Sequence, residues 1–236
     1  MRIAAQPAMG LPQGTNRVHE GAPTPTLLFR DDRFVVLNKP AGLAVHPGPR
    51  GGRSAEDWFP LLSRRRQGPW LVHRLDADTA GCLLVALRRT ALIDAQRQFA
   101  AGSARKTYWA LVRGTPSHTC GTVDASLLRQ STSKGWHMVV DPLGKRAVTD
   151  WRILGTVGNL SWLELSPRTG RTHQVRVHCS VLGCPILGDP IYGDAEGTLH
   201  LLARSIALDL DPPVTATAPV PEHMRAMLKR FGSGSD

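Results

Sequence analysis

The sequence predicts a mixed α/β (α+β) domain, with a largely antiparallel central sheet, flanking helices and a basic catalytic cleft. Three observations carry this reading. Strand-like runs are numerous, short and joined by Gly- and Pro-rich turns. Few helical segments are available as crossovers, which favours antiparallel over parallel connections. Lys and Arg number 29 against 19 Asp and Glu, a formal net charge of +10. That excess suits a polyanionic partner, nucleic acid first.

The 236 residues suffice for a substantial core. Residues 1–25, rich in Pro, Gly, Thr and Gln, read as a flexible tail, 26–229 as the catalytic domain and 230–236 as a frayed end. The ordered part opens with a β-rich run at Phe34 to Leu37, the turn "NKPAG", and "LAVH" as a second short strand. Ser54 is placed to cap a helix beginning "SAEDWFPLL", with Asp57 at the capping-box position and Pro60 keeping it short. "GCLLVAL" reads as a buried strand. "TALIDAQRQFAAG" reads as a helix, with Leu92, Ala95, Gln96 and Phe99 at helical spacing and Gly102 as its stop. "KTYWALVRG", "HMVV", "RAVTDWRIL" and "LSWLELSP" follow as strands. "THQVRVHCSVLG" is a helix with Val175, Cys179 and Leu182 on one face, ended by Gly183. "LHLLARSIALDL" is a late strand pair or one long bent strand.

Composition excludes several classes. No apolar run is long enough for a transmembrane helix, and the N-terminus lacks the apolar core of a secretory signal. A cytoplasmic location and no membrane partner are expected. The four cysteines contain no C-x-x-C pair, and the intervals of His173, His178, Cys179 and Cys184 match no ligand pattern, so buried thiols and no metal are expected.

Two segments carry chemistry. In "HRLDADTAGCLLVA", a carboxylate, Asp76, sits beside His73 and Arg74 just before a buried run. Such an Asp is a candidate nucleophile or general base. It is equally a candidate for bracing the loop by pairing with Arg74 or Arg176. In "SPRTGRTHQVRVH", Thr172 is placed to cap a helix whose N-terminal amides, with Arg168 and Arg171, would form a phosphate-binding corner.

These segments resemble the RluA-type pseudouridine synthases. "HRLDADTAGCLLVA" is similar to that family's catalytic motif, "RKTYWALVRG" to its second motif and "GRTHQVRVHCSVLGCPILGDPIYG" to its third; "NKPAGLAVHPG" and "LHLLARSIAL" are similar to its opening and closing segments. The likeness runs from about residue 27 to about 212. It departs at Ala80, where Ser is usual, at Leu87, where Lys often stands, and at "HLLARS". No N-terminal S4-type RNA-binding module is expected, the first 25 residues being too few for one.

The resemblance implies the pseudouridine synthase fold and an isomerase that converts uridine to pseudouridine in ribosomal or transfer RNA. It implies no cofactor, and a monomer without DNA as partner is expected. By position, Asp76 is its catalytic Asp, Tyr108 the active-site Tyr and Arg176 the basic partner of Asp76, with Val175 the small apolar residue beside it. Arg74 is the residue implied to help open the RNA around a flipped base. His73, Arg105, Lys106, Arg168, Arg171, Thr172 and His173 complete the expected RNA-binding set. Two rival readings are an inactive RNA-binding module using the same cleft, and a glycoside-type hydrolase. The second would need a pair of acids flanking the bond, and the motif supplies one.

Overall fold

The computed structural model describes residues 24–48, 51–65, 67–133 and 135–232. The expected tail, up to residue 23, and the last four residues lie outside them. In chain order the described residues form β1 (Thr26–Arg30), β2 (Phe34–Lys39), α1 (Phe59–Leu62), β3 (Trp70–Leu71), β4 (Ala80–Ala86), α2 (Arg89–Ala100), β5 (Arg105–Arg113) and β6 (Cys120–Asp124). There follow β7 (Leu127–Thr132), β8 (Gly135–Val140), β9 (Val148–Val157), β10 (Leu160–Pro167), α3 (Gln174–Val181), β11 (Leu201–Leu208), β12 (Val214–Thr217) and α4 (Glu222–Leu228). Ten strands make one sheet in the order β1-β2-β4-β11-β5-β10-β9-β6, with β3 on β4 and β12 on β11; β7 and β8 form a separate hairpin. The sheet pairs are antiparallel except β4 with β11. The expected mixed fold with a largely antiparallel sheet is therefore the one observed.

The apolar runs of β2 and β4 are continuous because both faces of these central strands are covered. Phe34, Val36, Cys82, Leu84 and Ala86 enter a core with Ala91 and Ala95 of α2 and Met224 and Leu228 of α4. The alternate residues Val35, Leu37, Leu83 and Val85 face a second core with Trp58, Phe59 and Leu62. Ala110, Val112, Leu163 and Leu165 pack with Val175 and Cys179 of α3.

Two local expectations change, "LAVH" as a strand and Cys120 as a buried thiol. "LAVH" is not a strand: Ala44 makes one isolated bridge to Ser54, while Leu43 and Val45 are buried as anchors of an irregular loop set by Pro40, Gly42 and Pro47. The late apolar run takes the second of its two expected forms, one long strand, β11, with an irregularity between Ala203 and Ser205. Cys120 is exposed, unlike the other three thiols. At the start of the expected frayed end a 3₁₀ turn spans Lys229–Phe231, and the Phe231 ring meets Trp162 at 6.5 Å. Asp57 does cap as expected, its carboxylate accepting the Ser54 N–H at 3.1 Å. With Pro60 near its start, the helical segment is one 3₁₀ turn, Ala55–Trp58, followed by the four residues of α1.

One contact fixes the sheet's centre. Ala80 and Gly81 pair with Leu202 and Ala203. Gly81 has φ +111°, and a β-carbon there would lie 2.2 Å from the Ala203 carbonyl oxygen. Only glycine combines that dihedral with that approach.

Candidate active site

The order β4-β11-β5-β10 brings three distant segments together. The loop before β4 carries Asp76. Tyr108 on β5 pairs with Ala203 of β11 on one side and Leu165 of β10 on the other. The chain leaving β10 turns through residues 168–173 into α3, which carries Arg176. Asp76, Tyr108 and Arg176 thus line one cleft of about 220 Å³, with Arg74, Lys106, Arg171 and His173 also on its wall.

The Asp76 loop is held from below by a lysine. Lys39 is fully buried, and its Nζ donates to the carbonyls of Pro40 at 2.8 Å, Leu43 at 2.8 Å and Ala77 at 2.7 Å. Burial draws its pKa down to about 7 against the opposing charges of Asp78 and Asp76. The three carbonyls nonetheless call for an ammonium, the form with three N–H donors. Gly42 N–H also donates to Ala77 O, at 3.0 Å. Lys39→Met, which removes the ammonium donor from all three carbonyls and leaves Ala77 O with the Gly42 N–H, is expected to cost about 3 kcal/mol or more, because buried acceptors are left unmet. Chemical denaturation reads the loss.

Arg176 is the hub of the site. Its Nε and Nη2 grip both oxygens of Asp189 at 2.8 and 2.7 Å, while Nη1 reaches Asp76 Oδ2 at 3.4 Å. Asp189 is fully buried and also accepts the amides of Ile191 at 2.9 Å and Tyr192 at 3.1 Å. Burial pushes the Asp189 carboxyl up. The Arg176 guanidinium and these amides outweigh it and hold the group below the usual carboxylate range. The expected pairing of Arg176 with Asp76 is present, but it is the weaker of two.

Tyr108 faces the cleft with Lys106, two residues away on the same face of β5. Burial foremost, then the Asp76 charge, raises its phenol, so the hydroxyl keeps its proton at neutral pH. Lys106 donates to Thr169 O at 3.3 Å and lies 5.5 Å from the centre of the Phe99 ring.

The structure separates the remaining expected residues. Arg74 is exposed at the cleft, and its guanidinium bonds no described residue. Arg171 also lines the cleft and donates to Arg146 O at 3.1 Å. Arg105 is exposed on the opposite face of β5 from Lys106, away from the cleft lining. Arg168 lies outside the lining too, its guanidinium forked on Asp150 at 2.6 and 2.7 Å, so its charge is already matched. His73 is on the wall but neutral: burial, then the Lys106 charge, lowers it to about 3. Its Nε2 accepts the Leu84 N–H at 3.0 Å, and its ring stacks on Phe99 at 5.3 Å. It braces β4 and offers no positive charge to a phosphate.

Thr172 does not cap α3. His173 occupies the N-cap position in a left-handed conformation, φ 53° and ψ 16°, leaving Thr172 one residue outside. The loop is instead stapled by buried Gln174, whose Oε1 accepts the Arg171 N–H at 3.0 Å and the Thr169 hydroxyl at 2.7 Å. His173 places Nε2 3.9 Å from Asp76 Oδ1.

Sequence reasoning missed Asp189, Lys39 and Tyr192. For Asp189 a signal existed: an acid inside "CPILGDPIYG" has no local partner and must find a distant one if buried.

Residues 33–181 match the family model described as RNA pseudouridylate synthase. An uncharacterized RNA pseudouridine synthase of Zymomonas mobilis is 40% identical over 205 residues, 83% of this chain and 94% of its own. One of Synechocystis sp. is 38% identical over 222 residues, 86% of this chain and 67% of its own. The ribosomal large subunit pseudouridine synthase C of Vibrio cholerae is 36% identical over 195 residues, 77% and 61% of the two chains. Among solved structures, human RNA Pseudouridylate Synthase Domain Containing 4 superposes with a TM-score of 0.75 at 27% identity, covering 89% of this chain and 94% of that one.

Proposed function

We propose a division of labour in the cleft that starts from one fact: the chain belongs to the RNA pseudouridylate synthase family. It is an RNA pseudouridine synthase, an isomerase acting on uridine in RNA. The reaction breaks the bond between uracil N1 and ribose C1′, turns the base, and joins C5 to C1′; the C5 hydrogen leaves and N1 gains one. The base must first leave the RNA stack, at a cost of a few kcal/mol.

The observation that carries the assignment of roles is the Asp76 carboxylate, held between Arg176 and His173 in a cleft that also holds Tyr108. Asp76 acts on the sugar, as nucleophile at C1′ or as base at C2′. Arg176 positions it. Tyr108 stacks on the extruded base and stands near C5. Because its hydroxyl is protonated, it accepts a C5 proton only while passing its own onward. Lys106, Arg74 and Arg171 meet phosphate around the opening, and the wedge at the flipped base is assigned to Arg74. The reading extends to a monomeric cytoplasmic enzyme whose catalytic domain spans 26–229. Its substrate is ribosomal or transfer RNA; the name of the Vibrio relative supports the first, and the second rests on sequence resemblance.

The test is the purified chain on ribosomal and transfer RNA carrying tritium at uracil C5. Tritium should enter water in step with pseudouridine in the nuclease digest. Free uracil would mean a hydrolase, and binding without release would mean an inactive RNA-binding module.

Tyr108→Phe keeps the ring and removes the hydroxyl. If the hydroxyl handles the C5 proton, single-turnover conversion should slow by about 100-fold or more at near-normal RNA affinity. Tyr108→Leu should in addition weaken capture of the flipped base by about 1–3 kcal/mol. Wild-type rates for Tyr108→Phe would leave the residue a stacking role alone.

A further inference from the structure

The β7–β8 hairpin stands apart from the main sheet, yet it reaches the cleft by two contacts. Its Met138 N–H donates to the Tyr192 hydroxyl at 2.9 Å. Its Trp136 ring stacks on His173 with centroids 5.0 Å apart and planes 27° apart. The Tyr192 hydroxyl in turn lies 3.0 Å from His173 Nδ1.

These contacts specify a tautomer. The Tyr192 oxygen receives the Met138 N–H, so its own single proton needs an acceptor. Among the described residues His173 Nδ1 is the atom placed to take it. The ring proton then sits on Nε2, and Nε2 faces Asp76 Oδ1 at 3.9 Å. The second observation agrees independently, since a bare Nε2 lone pair turned toward a carboxylate would be repelled. The carboxylate oxygens are thereby addressed separately, Oδ2 by Arg176 at 3.4 Å and Oδ1 by His173. The 3.9 Å separation is long for a hydrogen bond, as catalytic contacts often are before substrate binds.

We propose that Tyr192, anchored by the hairpin amide of Met138, fixes His173 as its Nε2–H tautomer and thereby makes His173 a positioning residue for Asp76. The inference rests on the assignment of Asp76 above and adds a second donor with its own support. Charge on the ring is not needed. Burial, foremost, lowers the His173 pKa, the Arg176 and Arg74 charges lower it further, and Asp76 and Asp189 oppose them. A neutral imidazole presents one N–H, and the hydrogen bond made by the other nitrogen decides which.

The test separates donor chemistry from structural support. Gln carries its amide near the place of imidazole Nε2, and Asn near the place of Nδ1. His173 has φ 53°, a conformation that Asn tolerates better than Gln. A purely structural role therefore favours His173→Asn. The donor role favours His173→Gln, which should turn over about tenfold or more faster than His173→Asn. Tyr192→Phe should lower kcat by roughly 10–100-fold with little change in KM. The ¹⁵N spectrum of His173 in the resting protein should show Nε2 protonated and Nδ1 bare, and Tyr192→Phe should mix the two tautomers. An Nδ1-protonated ring in the wild type, or an Asn variant as fast as the Gln variant, overturns the proposal. Because the spectrum needs no substrate, it decides the tautomer even if the wild-type chain releases no tritium.

Discussion

Asp76→Asn is expected to abolish tritium release, by roughly 10⁴-fold or more, as removal of a nucleophile or essential base does. That factor corresponds to about 5.5 kcal/mol of transition-state stabilisation. The fold should survive. The Asp76 side chain is 23% exposed, and Arg176 keeps its tighter grip on Asp189. The amide also retains an oxygen for Arg176. RNA affinity should hold or rise slightly, since a negative charge leaves a basic cleft. Turnover within tenfold of wild type would remove Asp76 from the chemistry and return it to bracing the loop.

The second large effect is on stability. Arg176→Met leaves Asp189 charged, buried and unpaired, a situation that costs about 3–5 kcal/mol. For a chain of this size each kcal/mol lowers Tm by roughly 2–4 °C, so a drop of about 10 °C is expected in a thermal melt. The pH sign follows from the direction of the shift. In the wild type the Asp189 carboxyl is held below its ordinary value. The pair's contribution is therefore fully present at neutral pH and fades as pH falls through the depressed folded-state value. In the variant that pKa rises instead, and the deficit should shrink on acidification. Adding Asp189→Asn, which keeps an acceptor for the Ile191 and Tyr192 amides, should recover part of the stability. It should not restore turnover, because Asp76 still lacks its partner. Full recovery of activity would show that Arg176 serves the fold alone.

Much of the fold was legible in residue patterns. The runs at Phe34 and Gly81 announced central strands because both faces of those strands are covered, so no alternation interrupts them. Gly102 and Gly183 marked helix ends through the backbone freedom that a helix stop uses. "LAVH" misled because two buried side chains in an irregular loop leave the same local signature as a short strand. Asp76, Tyr108 and Arg176 were singled out through motif likeness, and the strand order explains why they meet in one cleft. Charges were harder to read. Arg168 and Arg171 look alike in sequence, but Asp150 sits across from one and the cleft beside the other. His73 and His173 looked like phosphate ligands. Burial makes both neutral, a property fixed by neighbours such as Phe99 and Trp136 that are distant along the chain. Asp189 and Lys39 act through partners that only the folded chain supplies.

The close approach of Gly81 to Ala203 also bears on when the enzyme comes into being during synthesis. The strand that flanks both the Asp76 segment and Tyr108 leaves the ribosome well after either of them; Cys82 and Arg204, hydrogen-bonded across that seam, are 122 residues apart in the chain. Pairings of such long range are slow to form and cannot begin until both partners have emerged. A nascent chain halted before residue 201 would have its Asp, its Tyr and its Arg, yet no central strand to seat the first beside the second. The cleft is therefore assembled only after β11 has emerged, and chains halted before it carry the basic surface without the assembled cleft.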